Sequence, residues 1–187
     1  MFTFDHERMS DGADIENLLD TVFGSDRFAK ASYALREGVH PVRALCLVAR
    51  HENHVAASVR FWPVLVRDLI GDASAEALLL GPLAVNPEVQ GCGVGSSLVQ
   101  VALGKAESMG YQRILLVGDA DYYGRFGFVP VLPSFITLPG GRDARRLLVR
   151  QSARLASLPA VGRMMPWQQD AITLQVNEGF SAPALAM

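Results

Sequence analysis

The stretch Gln90-Gly91-Cys92-Gly93-Val94-Gly95 follows an apolar run, Ala77 to Val85, and opens an amphipathic helical pattern. A strand, a glycine turn and a helix in that order make an anion site. Glycine lets a backbone turn tightly and approach a ligand with no Cβ in between. The unpaired N–H groups of a first helical turn, with the helix dipole behind them, attract phosphate. The turn therefore suits a ligand that carries a pyrophosphate. The plainer reading of the same residues is a strand-to-helix turn whose glycines serve close packing. Cys92 is then a small loop residue, since no neighbouring His or Asn supports a reactive thiolate.

Spacing decides which phosphate ligand. A dinucleotide fingerprint needs G-x-G-x-x-G, but after Gly91 and Gly93 the third glycine falls at Gly95, with Ser96 where the motif wants Gly. A mononucleotide loop needs Gly-Lys-Ser/Thr, and the pair Gly104 and Lys105 is followed by Ala106 and lacks the upstream Gly. What fits is Gln/Arg-x-x-Gly-x-Gly/Ala, on Gln90, Gly93 and Gly95. This resembles the acyl-CoA pyrophosphate loop of the GNAT superfamily of N-acyltransferases. Leu83-Ala84-Val85 stands immediately upstream, as in that family's fourth strand. Downstream, Tyr123-Gly124-Arg125-Phe126-Gly127-Phe128 resembles its Tyr-x-x-x-Gly-Phe segment. The likeness spans roughly Phe4 to Val149 and looks most like the YhbS-like branch, a label that names a fold and a cofactor but no substrate.

The resemblance implies an α/β fold with a mixed, mostly antiparallel central sheet, helices on both faces, and a splayed parallel strand pair at the acyl-CoA site. Residues 1–150 would be the acyltransferase domain, and 151–187 a C-terminal extension packed on or near it, not a separate domain. Acetyl-CoA is the implied acyl donor. Leu83, Ala84 and Val85 would line its pantetheine, and Gln90, Gly91, Cys92, Gly93, Val94, Gly95 and Ser96 its pyrophosphate. Pro82 supports the splay, because proline cannot donate to a ladder and belongs at an edge or irregularity. Asp119 could hold a water or the pantetheine, or make an Asx turn before Tyr122.

Composition sets bounds. With 187 residues, 50% hydrophobic and 19% charged, the chain is long enough for one domain with a sizeable core. No apolar run approaches the ~18 residues that span a bilayer, and Asp5, Glu7 and Arg8 leave no room for a signal peptide. A cytoplasmic protein with no membrane partner is expected. Two cysteines, Cys46 and Cys92, fit a reducing compartment and cannot form a metal cluster by themselves, so no metal is expected. A net charge of −2 gives no general pull toward nucleic acid.

Ile15, Leu18, Leu19, Val22 and Phe23 share a helical face, with Ser10 or Asp11 as cap and Gly24 as stop. A second, less regular helix is expected from Asp26 to Glu37. Leu45 to Arg50 and Val55 to Val66 read as strands around the turn His51-Glu52-Asn53-His54, with Pro63 marking an edge or bulge. Val94, Leu98, Val101, Ala102 and Met109 define the buried face of the helix after the loop. Ile114 to Val117 is the fifth strand, and a right-handed crossover should set it parallel to the fourth. Phe135 to Leu138 and Leu147 to Arg150 could close the sheet around Pro139-Gly140-Gly141. Beyond Gln151 no period is evident, which leaves packing across the cleft, a homodimer contact or a loose tail open.

For chemistry, Tyr123 stands out. When an amine attacks a thioester, the departing thiolate must collect a proton, and a phenol of pKa about 10 can supply it. In the family, a Tyr four residues before the Gly of Gly-Phe does this, which is Tyr123 and not Tyr122; the alternative makes both amphipathic filler. No general base carries over: eleven residues before Gln90 stands Leu79, and Ile114 to Val117 is wholly apolar. Glu76, His51 and His54 are further candidates whose default role is solvated surface. Arg142, Arg145, Arg146, Arg150 and Arg154 could hold the 3′-phosphate of CoA or an acidic acceptor, although such a run is more often a solvated face. The expected activity is transfer of an acetyl group from acetyl-CoA to an amine of a small molecule or peptide, by direct attack in a ternary complex. A noncatalytic CoA-binding module and a thioester hydrolase are the alternatives.

Overall fold

The computed structural model describes residues 1–132, 135–141 and 144–167. A two-residue turn starts the sheet. Glu52 and Asn53 adopt φ of 49° and 69°, the left-handed pair that matches the twist of a tight hairpin, so β2 (Leu47–His51) folds back on β3 (His54–Asp68). β1 (Phe2–His6) adds antiparallel to β2. On its other edge β3 pairs along its length with β4 (Ser74–Val85). β4 then runs parallel to β5 (Arg113–Val117), which pairs antiparallel with β8 (Leu147–Gln151), and the two-residue β6 (Val129–Pro130) closes that edge. The sheet is thus mixed and mostly antiparallel, as the resemblance implied.

β3 is long enough to have two neighbours on one edge. β2 covers it up to Val59, and β9 (Val161–Pro166) covers Val64 to Asp68. Pro63 falls between them, where its missing N–H leaves no ladder bond unmade; its carbonyl accepts from Trp167 N–H. β9 was not legible in the sequence. It also captures β7 (Phe135–Thr137) in parallel, so β7 and β8 are not the two arms of a hairpin. Each finds a better partner far along the chain, at opposite ends of the sheet.

α1 (Gly12–Phe23) ends at Gly24, whose φ of 75° suits glycine. The expected second helix is instead a 3-10 turn (Ser25–Ala29) and a one-turn helix, α2 (Ala31–Ala34), parted at the extended Lys30. The break lets the Arg27 guanidinium turn inward, where Glu16, Asp20 and the Tyr33 hydroxyl receive it. α3 (Val94–Ser108) buries Val94, Leu98, Val99, Ala102, Leu103 and Ala106. Val101 is exposed, because one step from Ala102 turns a side chain about 100° around the axis. α3 covers one face of the sheet, over Leu47, Val59, Phe61, Leu80 and Leu116. On the other face α1 packs over Val48 and Ala84, while α2 sits over Val64, Leu79 and Leu115. Among the described residues no helix is long and apolar enough to cross a membrane.

One buried ion pair ties α1 to the sheet. The Asp11 carboxylate accepts from Arg50 Nη2 at 2.5 Å and Nη1 at 3.1 Å, and from Arg8 N–H at 2.7 Å. The Arg50 bonds hold the Asp11 carboxyl below its ordinary value near 3.8. Asp11→Ala leaves a buried guanidinium short of its main partner, and urea unfolding at neutral pH should show a loss of about 3 kcal/mol. A depressed carboxyl stabilises the fold above its unfolded pKa, and the contribution is lost as pH falls through the folded value. The gap between parent and variant should therefore narrow below about pH 4; a gap that persists undiminished at pH 2 would disprove the linkage.

Candidate functional site

The site begins where β4 loses step with its neighbours. Val59 pairs with Leu83 and Phe61 with Leu80, so Gly81 and Pro82 together oppose the single residue Arg60, a β-bulge. Gly81 takes φ of 130°, open to glycine alone at little cost. On the other edge, pairing with β5 stops at Leu79 and Leu115. Among the described residues, no strand lies beside that edge of β4 from Gly81 to Val85.

Which groups face the gap follows from the ladder. Asn86 N–H donates to Ala56 O at 2.8 Å, and antiparallel pairs alternate between bonded and non-bonded. Ala84 therefore turns its backbone toward β3, while Leu83 and Val85 turn theirs to the open edge. The Val85 carbonyl accepts from Gln90 Nε2 at 3.1 Å, so Gln90 spends its amide closing the loop onto the strand end. The Ala84 side chain is fully buried under α1; only its backbone shares the strand with its two neighbours.

At the strand end, Gly91 and Gly93 adopt φ of 82° and 78°, and a Cβ at either would meet open space. Their need for glycine is conformational. Gly95 is different: a Cβ there would come within 2.8 Å of Val85 Cγ2 and 3.6 Å of the Tyr122 hydroxyl. The close-packing reading thus holds for Gly95, which lets α3 settle on the end of β4. Among the described residues the N–H groups of Val94, Gly95 and Ser96 make no backbone hydrogen bond, while Ser97 N–H donates to Gly93 O. Cys92 is exposed between them. A 15-residue helix thus presents a bare first turn beside the open strand.

Both tyrosines lie at this mouth. α4 (Ala120–Tyr123) is capped by Asp119, whose carboxylate accepts from Asp121 N–H at 2.9 Å in an Asx turn. The Tyr122 hydroxyl lies 3.4 Å from Ser96 Oγ on α3. The Tyr123 ring instead lies under Gly118, where a Cβ would come within 2.6 Å of its Cε2. Gly118, the residue after β5, is thus required by Tyr123; the sequence signal was a glycine directly after an apolar strand. Phe126, Phe128 and Tyr122 enclose the ring. This burial, with Tyr122 adding and Arg146 opposing, pushes the Tyr123 phenol up to about 12.

The other candidates are dispersed. The Glu76 carboxylate accepts from Trp167 Nε1 at 3.4 Å, His51 lies against Phe2 with the rings tilted by 45°, and His54 lines a recess with Asp14, Asn17, Thr21 and Asn86. Arg150 is engaged with Glu107, while Arg145, Arg146 and Arg154 are exposed. Arg142 lies outside the described residues.

A parted parallel strand pair with a bare helix turn at its end coincides with a family match: residues 13–128 fit the Acetyltransferase (GNAT) family. The chain belongs to that family. It is 34% identical over 130 residues to the uncharacterized N-acetyltransferase YjhQ of Escherichia coli K12, covering 69% of this chain and 70% of the relative. To the uncharacterized N-acetyltransferase YhbS of the same strain it is 35% identical over 119 residues, covering 63% and 68%. Among solved structures it resembles the E. coli YhbS complex with CoA, with a TM-score of 0.68 and 28% identity over 87% of this chain and 88% of that one. A GNAT family acetyltransferase from Brucella melitensis, solved with acetyl-CoA, shares the fold at a TM-score of 0.63 and 24% identity, covering 91% and 98%.

The two glycines of α3 separate by experiment. Gly104→Ala, on open surface of α3, should raise stability by about 0.5–1 kcal/mol. Gly95→Ala in the same helix should lower it, because its Cβ meets Val85 Cγ2 at 2.8 Å. Equal midpoint shifts of the same sign in thermal unfolding would remove the packing role assigned to Gly95.

Proposed function

We propose that this chain is an acetyl-CoA-dependent N-acetyltransferase in which the amine attacks the thioester directly in a ternary complex. The observation that carries this is the unpartnered edge of β4, Gly81 to Val85, leading straight to the bare first turn of α3. An extended amide chain can pair with such an edge as a strand would. A pyrophosphate at its far end meets the N–H groups of Val94, Gly95 and Ser96. Two relatives named N-acetyltransferases and a CoA-bound structural neighbour support the same reading.

Each residue then has a task. Leu83 and Val85 bind the pantetheine amides by backbone, and Leu83 N–H faces the thioester oxygen as charge develops there. Gly91 and Gly93 turn the loop, Gln90 anchors it, and Cys92 and Ser96 border the phosphates. Tyr123, with its phenol raised to about 12, keeps its proton at any working pH. It donates to the leaving thiolate, which accepts the proton as the C–S bond breaks. Asp119, by capping α4, positions Tyr123. Leu79 to Val85 and Ile114 to Gly118 hold no carboxylate or imidazole, so the amine must arrive neutral or shed its proton to water. That lack is the one feature favouring a noncatalytic CoA-binding module.

Calorimetry and steady-state turnover test the assignment. Cys92→Glu places a negative charge in the loop without altering a glycine, and should weaken acetyl-CoA binding about tenfold. Unchanged affinity in a folded variant would dislodge the loop from the pyrophosphate. Tyr123→Phe should bind acetyl-CoA normally and lose about 10²-fold in kcat, with a smaller loss for a donor of more acidic thiol. Tyr122→Phe should lose much less. Because the phenol titrates near 12, it should add no alkaline limb to kcat below about pH 11. A full-rate Tyr123→Phe enzyme would reduce the phenol to packing.

A further inference from the structure

On the face opposite α3, between the apolar patches under α1 and α2, lies a polar seam. Its guanidiniums are matched with one exception. Arg27 is held by Glu16 and Asp20, Arg50 by Asp11, and Arg60 by Glu7 at 2.7 and 2.8 Å. Arg36, just after α2, pairs with no carboxylate among the described residues, and its buried Nε has no hydrogen-bond partner. Trp62 Nε1 is also buried and unpartnered. Arg36 Cζ lies 4.4 Å from the centroid of Tyr33 and 5.6 Å from that of Trp62. Tyr33 eases the guanidinium's charge, yet Arg36 Nε and Trp62 Nε1 remain two neighbouring donors without an acceptor among the described residues.

The place gives the acceptor its meaning. Arg36 Nη2 lies 3.8 Å from where a Cβ would stand on Gly81, the residue that opens the bulge and the unpaired edge. Burial disfavours its charge, with Tyr33 opposing and Arg60 and Arg27 adding smaller repulsions, and an anion beside it would offset both the burial and the repulsion. A planar guanidinium stacked on aromatic rings directs its donors along its edge, the geometry with which a carboxylate pairs.

We propose that Arg36 and Trp62 Nε1 form a carboxylate subsite for the acceptor, so that the amine acylated here is that of a small amino acid. This rests on the acetyl-transfer reading. Gly81 and Leu83 are two residues apart, about 7 Å of strand, which places the carboxylate only a few bonds from the attacking nitrogen. The neutral amine nitrogen forms a bond to the thioester carbonyl carbon, and the C–S bond breaks with its electron pair on sulfur. The nitrogen gives up one proton and the sulfur takes one. The carboxylate stays bound and unreacted, and the products are an N-acetyl amino acid and CoA.

The test pairs each of a panel of amino acids with its amide, and each N-acetyl amino acid with its N-acetyl amide. Turnover is measured on the first set, and calorimetric binding to the CoA-loaded protein on the second. Carboxylates should be favoured at least about tenfold in both. Arg36→Gln should erase the preference through KM for the acid without changing acetyl-CoA affinity, and Arg36→Lys should restore only part of it. Trp62→Phe keeps the ring, removes the N–H, and should reduce the preference several-fold even if Arg36→Gln fails to fold. Equal or better use of amides, a panel in which no acid is turned over or bound, or an unchanged ratio in the folded variants would overturn the subsite. A parent protein that binds no acetyl-CoA strikes the acetyl-transfer reading itself; one that binds it but ignores the carboxylate strikes only Arg36.

Discussion

A strand that must spend two residues against one cannot stay in step with both neighbours. At Gly81 and Pro82, β4 yields to β3 on one edge and has already left β5 on the other. The consequence is a row of backbone groups, at Leu83 and Val85, that the sheet does not satisfy. Of these, among the described residues, only the Val85 carbonyl finds a partner, the Gln90 amide, and the strand edge leads to the unpaired N–H groups of α3. The rest of the architecture either holds this gap open or furnishes its two mouths.

Packing on the α3 face sets one mouth. Gly95 brings the helix onto Val85, Gln90 ties the loop to the same residue, and Tyr122 reaches Ser96. The loop is thus held by three contacts, while among the described residues the N–H groups of Val94, Gly95 and Ser96 stay unpaired. Gly118 makes the room in which the Tyr123 ring lies, and the same enclosure raises its phenol to about 12. Position and acidity have one cause. A phenol this weakly acidic stays protonated across the whole working pH range.

The opposite mouth is set by charge. α1 and α2 cover apolar patches on either side of the bulge, and the seam between them gathers arginines from three elements. Pairing with acidic partners neutralises most of them, which leaves Arg36 beside Gly81 as the one without a carboxylate among the described residues. One break in one strand thus has unpaired N–H groups on one side and a cation on the other.

Local chemistry was legible in the chain itself. Glycines at 24, 91, 93 and 110 punctuate helices and loop because their positive φ is a property of the residue alone; the apolar period located α1, α3 and β5, and Pro63 and Pro82 marked irregular strand positions because a missing N–H has the same effect in any fold. Spacing around Gln90 and Tyr123 sufficed to suggest the family. Tertiary structure decided the rest. β9 has no period of its own that declares it a strand; it is one because β3 had a free edge at Val64 to Asp68, and taking that edge drew β7 away from β8. Val99 replaced Val101 in the core because the sheet chose which stripe of α3 to cover. Arg36 was silent in the sequence, since what matters is the absence of a carboxylate around it, and an absence of neighbours exists only once the chain is folded.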